Sequence, residues 1–472
     1  MTSTPTATSS APASGQQPTR TRYWVVVFAI SLAMIQYIDR ACLAQVQPEI
    51  MGDLKLSDTQ WGYINSAFAL AYALFEIPTG WLGDRIGPRK VLTRVVLWWS
   101  LFTAAVGAAW SAGSMMVIRF LFGAGEAGCF PNLTKAFSTW LPRRERTRIQ
   151  GVMWMGARWG GAMAPLLIVM VMVFMSLSWR WAFVVFATLG AAWAAIFWWW
   201  FRDNPHEHPR VNAAELELLR ENEQNATSHG SVPWRVLLSR PSVWLLWLQY
   251  FCLSYGWYFY ITWLPKYLKD QRSFDFKSNT VLQWLATHLE RSADGSHGWF
   301  TQAQTGKIIS ATLAGIPLFC GGIGCLFAGW LVSRLIAKGG RPLVVRRIFG
   351  VVGLAGAGAL LMGSFYVVDP LWAMLVMGAA SFFNDLSMPG SWASCMDIGG
   401  KYAGTVSGSM NMMGNFGGMV FPAAAGLILT YTNQNWQIVF VSASAIYFIG
   451  AFCWFFIDPV TPLEQSAESA HA

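Results

Sequence analysis

Long apolar runs without an acidic or basic side chain constrain this chain more than any other feature. Residues 159–179, 182–201, 241–265, 308–333 and 348–368 contain no Asp, Glu, Lys or Arg, and neither does 402–457. A helix needs about 20 apolar residues to cross the hydrocarbon of a bilayer. Each of the first five runs is therefore one span. The sixth holds two, parted by the polar turn Tyr431-Thr432-Asn433-Gln434-Asn435. Four more spans with isolated charges precede residue 145, at roughly 23–46, 60–82, 92–111 and 115–140, and another covers 370–396. The prediction is an all-α polytopic membrane protein of twelve transmembrane helices, six on each side of the polar stretch 202–240.

Composition excludes the alternatives. Only 12% of the 472 residues are charged and 54% are hydrophobic, whereas a soluble protein carries about 25% charged residues. That rules out a water-soluble enzyme, a disordered chain and a nucleic-acid-binding protein, despite the net charge of +9. The basic residues instead cluster between spans, where they report topology. Arg85, Arg89, Lys90 and Arg94 follow span 2, Arg143, Arg144, Arg146 and Arg148 follow span 4, and Arg334, Lys338, Arg341, Arg346 and Arg347 follow span 8. The connections at 47–59, 112–114, 176–181 and 431–435 are nearly free of Lys and Arg. Both termini and the central loop are thus predicted to be cytoplasmic, in a multi-pass protein of the cell membrane, a bacterial inner membrane in particular. Cys42, Cys129, Cys252, Cys320, Cys325, Cys395 and Cys453 all sit in apolar stretches without ligand spacing, so neither a disulfide nor a metal is expected, and no cofactor motif is visible.

The expected organisation is a disordered tail over 1–21, a six-helix bundle over 22–201, a linker over 202–240, a second bundle over 241–458 with an extended outward loop at 266–307, and a tail over 459–472. The linker segment from Glu215 to Leu219 reads as a short surface helix, and the Asn225-Ala-Thr227 pattern is discounted as a glycosylation site because it falls on the cytoplasmic side. The two bundles look like copies of one unit. Gly151-x8-Gly160-Gly161-x3-Pro165 recurs as Gly408-x8-Gly417-Gly418-x3-Pro422, and Trp179-x3-Phe183 recurs as Trp436-x3-Phe440, both at an offset of 257. Gly80-Trp81-Leu82 with Arg85 likewise recurs as Gly329-Trp330-Leu331 with Arg334. Parallel repeats of this kind belong to carriers whose halves rock about a site between them, and small residues let the moving helices approach closely.

These residues resemble the major facilitator superfamily: Gly80-x3-Asp84-Arg85-x-Gly87-x-Arg89-Lys90 is similar to its signature between helices 2 and 3. Within it, the chain resembles the anion:cation symporters in Tyr37-Ile-Asp39-Arg40, Gly123-Ala-Gly-Glu126-Ala, the Trp-Arg-Trp-Ala-Phe run from Trp179, Asp203-Asn-Pro-His-Glu-His-Pro209 and Gly399-Gly-Lys-Tyr-Ala-Gly404. The resemblance spans 22–460 and implies proton-coupled uptake of an organic anion. It departs from the family in a longer outward loop at 270–305 and in Ser333, which stands where the first copy of the loop signature has Asp84.

Charges at membrane depth are costly, which makes each a functional candidate. They are Asp39, Arg40, Glu76, Arg119, Glu126, Lys135, Arg158 and Asp385; no histidine lies in a span, so any coupled proton must ride on a carboxylate. Arg119 and Glu126 are two helical turns apart and share a face. The expected site has Arg40 on the substrate carboxylate, Arg119 paired with a carboxylate, and Asp39 and Glu126 titrating. Arg158 is a second candidate anion contact or a pairing residue, beside Tyr37, Gln249, Tyr255, Trp257, Tyr258, Asn411 and Asn415 for the substrate's body and hydroxyls. Asp84, Arg85, Arg89, Glu76 and Arg334 are candidates for a conformational latch, and Lys135 is expected to snorkel to the surface. Asp385, with Asn384, would line the second half of the cavity or pair with charges near Arg334.

The leading reading is import of a sugar acid (an aldonate, hexuronate or aldarate) by proton symport, with the small anion, the proton and the bilayer as partners and a monomer as the expected state. An exchanger of organic anions or organophosphates and a non-transporting nutrient sensor are the alternatives. A drug:proton antiporter is disfavoured because 156–165 lacks the exporters' glycine pattern, and a membrane enzyme because no nucleophile–base or metal constellation is visible.

Overall fold

A computed structural model describes residues 17–174, 178–222, 234–264, 267, 279–290 and 302–462. Twelve rods emerge in chain order: α1 (Thr21–Gln45), α2 (Asp58–Ile86), α3 (Pro88–Gly107), α4 (Ala112–Glu126 continuing as Cys129–Trp140), α5 (Arg143–Phe174), α6 (Trp179–Trp200), α7 (Pro241–Thr262), α8 (Gln302–Ala337), α9 (Pro342–Ser364), α10 (Pro370–Leu386 continuing as Met388–Gly399), α11 (Ala403–Tyr431) and α12 (Trp436–Cys453). By length and hydropathy alone seven stretches among the described residues qualify as spans, one of them, Leu371–Leu429, covering both α10 and α11. The rods outside that test, α2, α4, α5 and α7, are among those that carry the polar interior.

Local chemistry sets the ends. Ser57 and Gln60 form a capping box at the start of α2, and Asp369 and Asn435 accept the first free amides of α10 and α12. Arg180 donates to the Gly107 and Ala109 carbonyls at the end of α3, both at 2.8 Å. The outer surface stays apolar, with Trp199, Trp181, Leu101 and Phe452 exposed, as a bilayer-facing surface requires.

The rods pair the same way twice. In the first six, α1 packs on α5, α2 on α4 and α3 on α6; in the last six, α7 packs on α11, α8 on α10 and α9 on α12. The halves meet through α5 on α8 and α2 on α11. The repeated glycines are the seats of these pairings. A Cβ on Gly151 would lie 2.4 Å from the Cys325 carbonyl oxygen of α8, and one on Gly408 would lie 2.8 Å from the Glu76 carbonyl oxygen of α2. Gly160 and Gly161 receive Met34 and Tyr37 of α1, as Gly417 and Gly418 receive Phe251 and Tyr258 of α7.

Three features differ from expectation. Span 5 begins at Arg143 rather than 159, because its arginine-rich first turns are helical as well. Spans 4 and 10 are interrupted, at 127–128 and at Ser387. Pro131 and Pro389 lie just beyond the two interruptions; each lacks an amide hydrogen and crowds the carbonyl four residues back. Residues 1–16 and 463–472 of the expected tails, Asn225 and most of the outward loop lie outside the described residues, whereas the end of the first tail is tied down: the Thr21 hydroxyl donates to the Arg210 carbonyl at 2.8 Å and α1 begins there. Within that loop, Thr280–Leu289 is a helix whose capping Asn279 donates to Asp369 at 3.1 Å.

Candidate functional site

Both interrupted rods end their first segment on a carboxylate that meets an arginine. Glu126 is the last residue of that segment in α4, and the Arg40 Nε of α1 donates to its Oε1 at 2.9 Å. Asp385 is the penultimate residue of that segment in α10, and Arg158 of α5 grips it with two bonds, Nε to Oδ2 at 2.7 Å and Nη2 to Oδ1 at 2.9 Å. The first pair lies within the first half, whereas the second crosses between halves.

Tyr37 stands between the two arginines. Its ring centroid is 5.7 Å from the Arg40 guanidinium carbon and 5.9 Å from that of Arg158, and its hydroxyl accepts from Arg158 Nη1 at 3.3 Å. Arg40 also lies 4.5 Å over Tyr72, and Arg158 lies 4.2 Å over Trp257. The Arg40 side chain is 23% exposed while that of Glu126 is fully buried. Of the two partners, only the arginine is thus open beyond the pair. Arg158 and Asp385 are both sealed, at 1% and 0%.

The α2–α11 seam holds a third carboxylate. Glu76 is fully buried and accepts from Asn411 Nδ2 and, at 3.2 Å, from Asn415 Nδ2, while Tyr258 donates to Asn415 Oδ1 at 3.3 Å. Further toward the arginine-rich face, Asp84 caps α11 from across the seam. Its carboxylate accepts from the Gly404 amide at 3.1 Å and from the Thr405 amide and hydroxyl at 2.7 Å. A carboxylate at a helix N-terminus satisfies free amides and opposes the helix dipole. Asp397 locks the same face by bridging Arg146 of α5, at 2.8 Å, and Arg346 of α9, at 2.7 Å. Arg146 also donates to Asn222 of the linker at 2.7 Å. Hydrogen bonds between the halves thus run from the mid-depth layer of Glu76 and Arg158 to the arginine-rich face.

Of the predicted residues, the structure brings together Tyr37, Arg40, Glu126, Arg158, Trp257, Tyr258, Asn411 and Asn415. Asp39, about 100° round α1 from Arg40, is buried and takes no hydrogen bond among the described residues. Arg119 differs from expectation: Glu126 is bonded to Arg40 instead, and Arg119 lies 4.5 Å over Phe68 and 4.8 Å over Phe122. Gln249 bonds Ser391 at 3.1 Å and Trp454 at 3.2 Å inside the second half, and Tyr255 packs edge-on against Phe421; neither joins the group. Asp385 pairs with Arg158, not with charges near Arg334.

Of the latch candidates, Asp84 and Glu76 reach the other half, while Arg85 and Arg334 lie over Trp81 and Trp330 of their own helices and Arg89 bonds the Trp198 carbonyl. Lys135 does not snorkel. The second segment of α4 is buried at every residue, so its ammonium stays inside, 3.7 Å from Asp84 Oδ1 and 2.8 Å from the Lys401 carbonyl oxygen. Sequence reasoning missed Asp397; a lone acid just past an apolar span, facing two arginine clusters, was the available signal. Outside the spans, burial pushes the Asp203 carboxyl up to about 6, against the pull of the Arg89 amide and guanidinium.

Twelve rods in two matching sets around a charged interior make a membrane carrier. The sequence model of the Major Facilitator Superfamily matches residues 29–422, and the chain belongs to that family of transporters. The probable sulfoacetate transporter SauU of Cupriavidus necator is 31% identical over 463 residues, 97% of this chain and 99% of that protein. The probable galactarate/D-glucarate transporter GarP of Escherichia coli K12 is 28% identical over 461 residues, covering 93% and 94%. The solved structure of the proton:xylose symporter XylE shares the fold, with a TM-score of 0.68 at 15% identity, over 95% of this chain and 99% of that one.

Proposed function

We propose that this transporter imports a small organic anion together with a proton, and that the anion is a sugar acid. The observation that carries the reading is the Arg40–Glu126 pair, with its arginine partly open and its acid sealed. An adjacent cation holds a carboxylate ionised, and burial favours its neutral form. A substrate carboxylate that takes Arg40 leaves Glu126 buried without its cation, and Glu126 then takes up a proton. Binding of the anion and of the proton are thereby linked. Asp39 is the second titrating acid of this scheme, and Arg119 supplies positive potential two turns from Glu126.

The substrate's body would lie against Tyr37, Trp257 and Tyr258. The two units, 22–201 and 241–458, rock about the mid-depth layer, with both termini and the linker 202–240 on the cytoplasmic side. Relatives named for galactarate/D-glucarate and for hexuronate support a sugar acid. A second reading, a sulfonated short acid, is favoured by the 31% identity to the protein named for sulfoacetate.

The test is uptake of labelled aldonates, hexuronates, aldarates and sulfoacetate, with and without an ionophore that collapses the proton gradient. Concentrative uptake of one acid is expected, abolished by the ionophore and by Glu126→Gln, with binding lost in Arg40→Ala. Accumulation that ignores the ionophore would refute proton coupling, and full affinity in Arg40→Ala would refute the binding role.

A further inference from the structure

We propose that Glu76 is a proton-binding site at the seam between the halves, and that the proton it takes unfastens α2 from α11. The inference rests on the symport reading above and adds one proton to its stoichiometry.

Three observations lead to it. Glu76 is fully buried at mid-depth, eight residues or about 12 Å along α2 from Asp84. It makes no ion pair among the described residues; its partners are the neutral amides of Asn411 and Asn415, both from the opposite half. Asn415 is partly exposed and is also bonded to Tyr258, which gives a proton a polar approach from the interior. Asp84, the other seam carboxylate of α2, is also buried and also bonded across the seam, but it has a cation: Lys135 stands 3.7 Å away.

An ionised carboxylate accepts both amide donors at once. Protonation of one Glu76 oxygen turns that acceptor into a donor, and it then faces an amide NH2 that is also a donor. The clasp falls to one bond plus a mismatch, and α2 can leave α11. When the halves part toward the arginine-rich face, Glu76 meets water there and releases the proton. No covalent bond other than O–H changes. The groups that face Glu76 are Arg40 from α1, Tyr72 from its own helix, Glu126 from α4, and Tyr250 and Tyr258 from α7. α11 bonds it through the two asparagines and carries no Asp, Glu, Lys, Arg or His. Arg40 already bonds Glu126, so among the described residues Glu76 has no cation of its own.

The experiment is the reversal potential of uptake in proteoliposomes at set proton and substrate gradients, which reads protons per substrate. Glu76→Gln keeps the size of the side chain and stands in for its protonated form, with one acceptor kept and the other replaced by a donor that cannot titrate. It is expected to carry one proton fewer than the natural protein while still exchanging labelled for unlabelled substrate. Glu76→Gln combined with Asn411→Asp returns a carboxylate to the other side of the same hydrogen bond and is expected to restore the lost proton. A wild-type stoichiometry in Glu76→Gln would overturn the proposal, and so would a missing proton in a transporting double variant. The double variant decides alone if the single one does not fold. Should uptake by the unmodified protein show no proton dependence, the symport reading itself fails together with this one, and that arm is read before any variant.

Discussion

Replacing Asp385 with asparagine would leave the Arg158 guanidinium charged, fully enclosed and without its counter-ion. Two charge-assisted bonds of 2.7 and 2.9 Å vanish or weaken, at about 1.5–3 kcal/mol each. Breaking one side of a buried pair costs about 3–5 kcal/mol in total, because the orphaned charge stays buried. Arg158→Met should cost a similar amount by orphaning the carboxylate instead. The double variant Arg158→Met/Asp385→Asn removes both charges, so its cost should fall short of the summed single costs by about 3 kcal/mol. Ordinary polar contacts between membrane helices couple by about 0.6 kcal/mol, which makes an effect of this size unmistakable. The assay is a double-mutant cycle on reversible unfolding in mixed micelles. Single effects that add to within about 0.5 kcal/mol would refute the claim that this pair ties α5 to α10. They would also return Arg158 to the list of groups free to bind substrate.

Asp84→Ala removes three bonds to the start of α11 and should weaken closure of the arginine-rich face by about 3 kcal/mol, roughly a hundredfold in the ratio of states. Spin-label distances across that face should lengthen, and unchanged distances would argue against the cap. Gly151→Leu should drive α8 from α5, since even its Cβ would lie 2.4 Å from a backbone oxygen; Gly363→Ala, with nothing within 4 Å, is the control. Transport should be lost in the first at normal expression and kept in the second. Asp203, raised to about 6 in the folded chain from an ordinary 3.8, binds more protons folded than unfolded between those values. Its contribution to stability is therefore full below about 4 and lost as pH rises through about 6. Thermal unfolding in detergent should show the natural protein losing ground to Asp203→Asn across that window, and parallel curves would contradict the assignment.

Much of the fold was legible because a bilayer punishes charge and exposed backbone in every span alike. Uncharged runs mark the rods wherever they fall, and the 257-residue offset of the glycines declared two copies of one unit. The interruptions in α4 and α10 were not legible. Proline is tolerated inside α2, α8 and α11, at Pro78, Pro317 and Pro422, so its presence near residues 131 and 389 distinguished nothing.

The inventory of buried charges likewise came from the chain alone, since each of Asp39, Arg40, Glu76, Arg119, Glu126, Arg158 and Asp385 interrupts an apolar run. Helical periodicity placed Arg119 and Glu126 on one face, but a shared face within a helix is not a partner. Which acid met which base depended on how separate rods crossed. Crossing gave Glu126 to Arg40 of α1, set Asp385 against Arg158 from the other half, and left Glu76 with two amides. It also drew Lys135 inward to Asp84, where chain position alone pointed it to the surface. Periodicity and hydropathy act over a few turns of one helix and are written in the sequence. Pairing between residues 51 to 339 positions apart is decided by helix packing, and only the tertiary structure contains it.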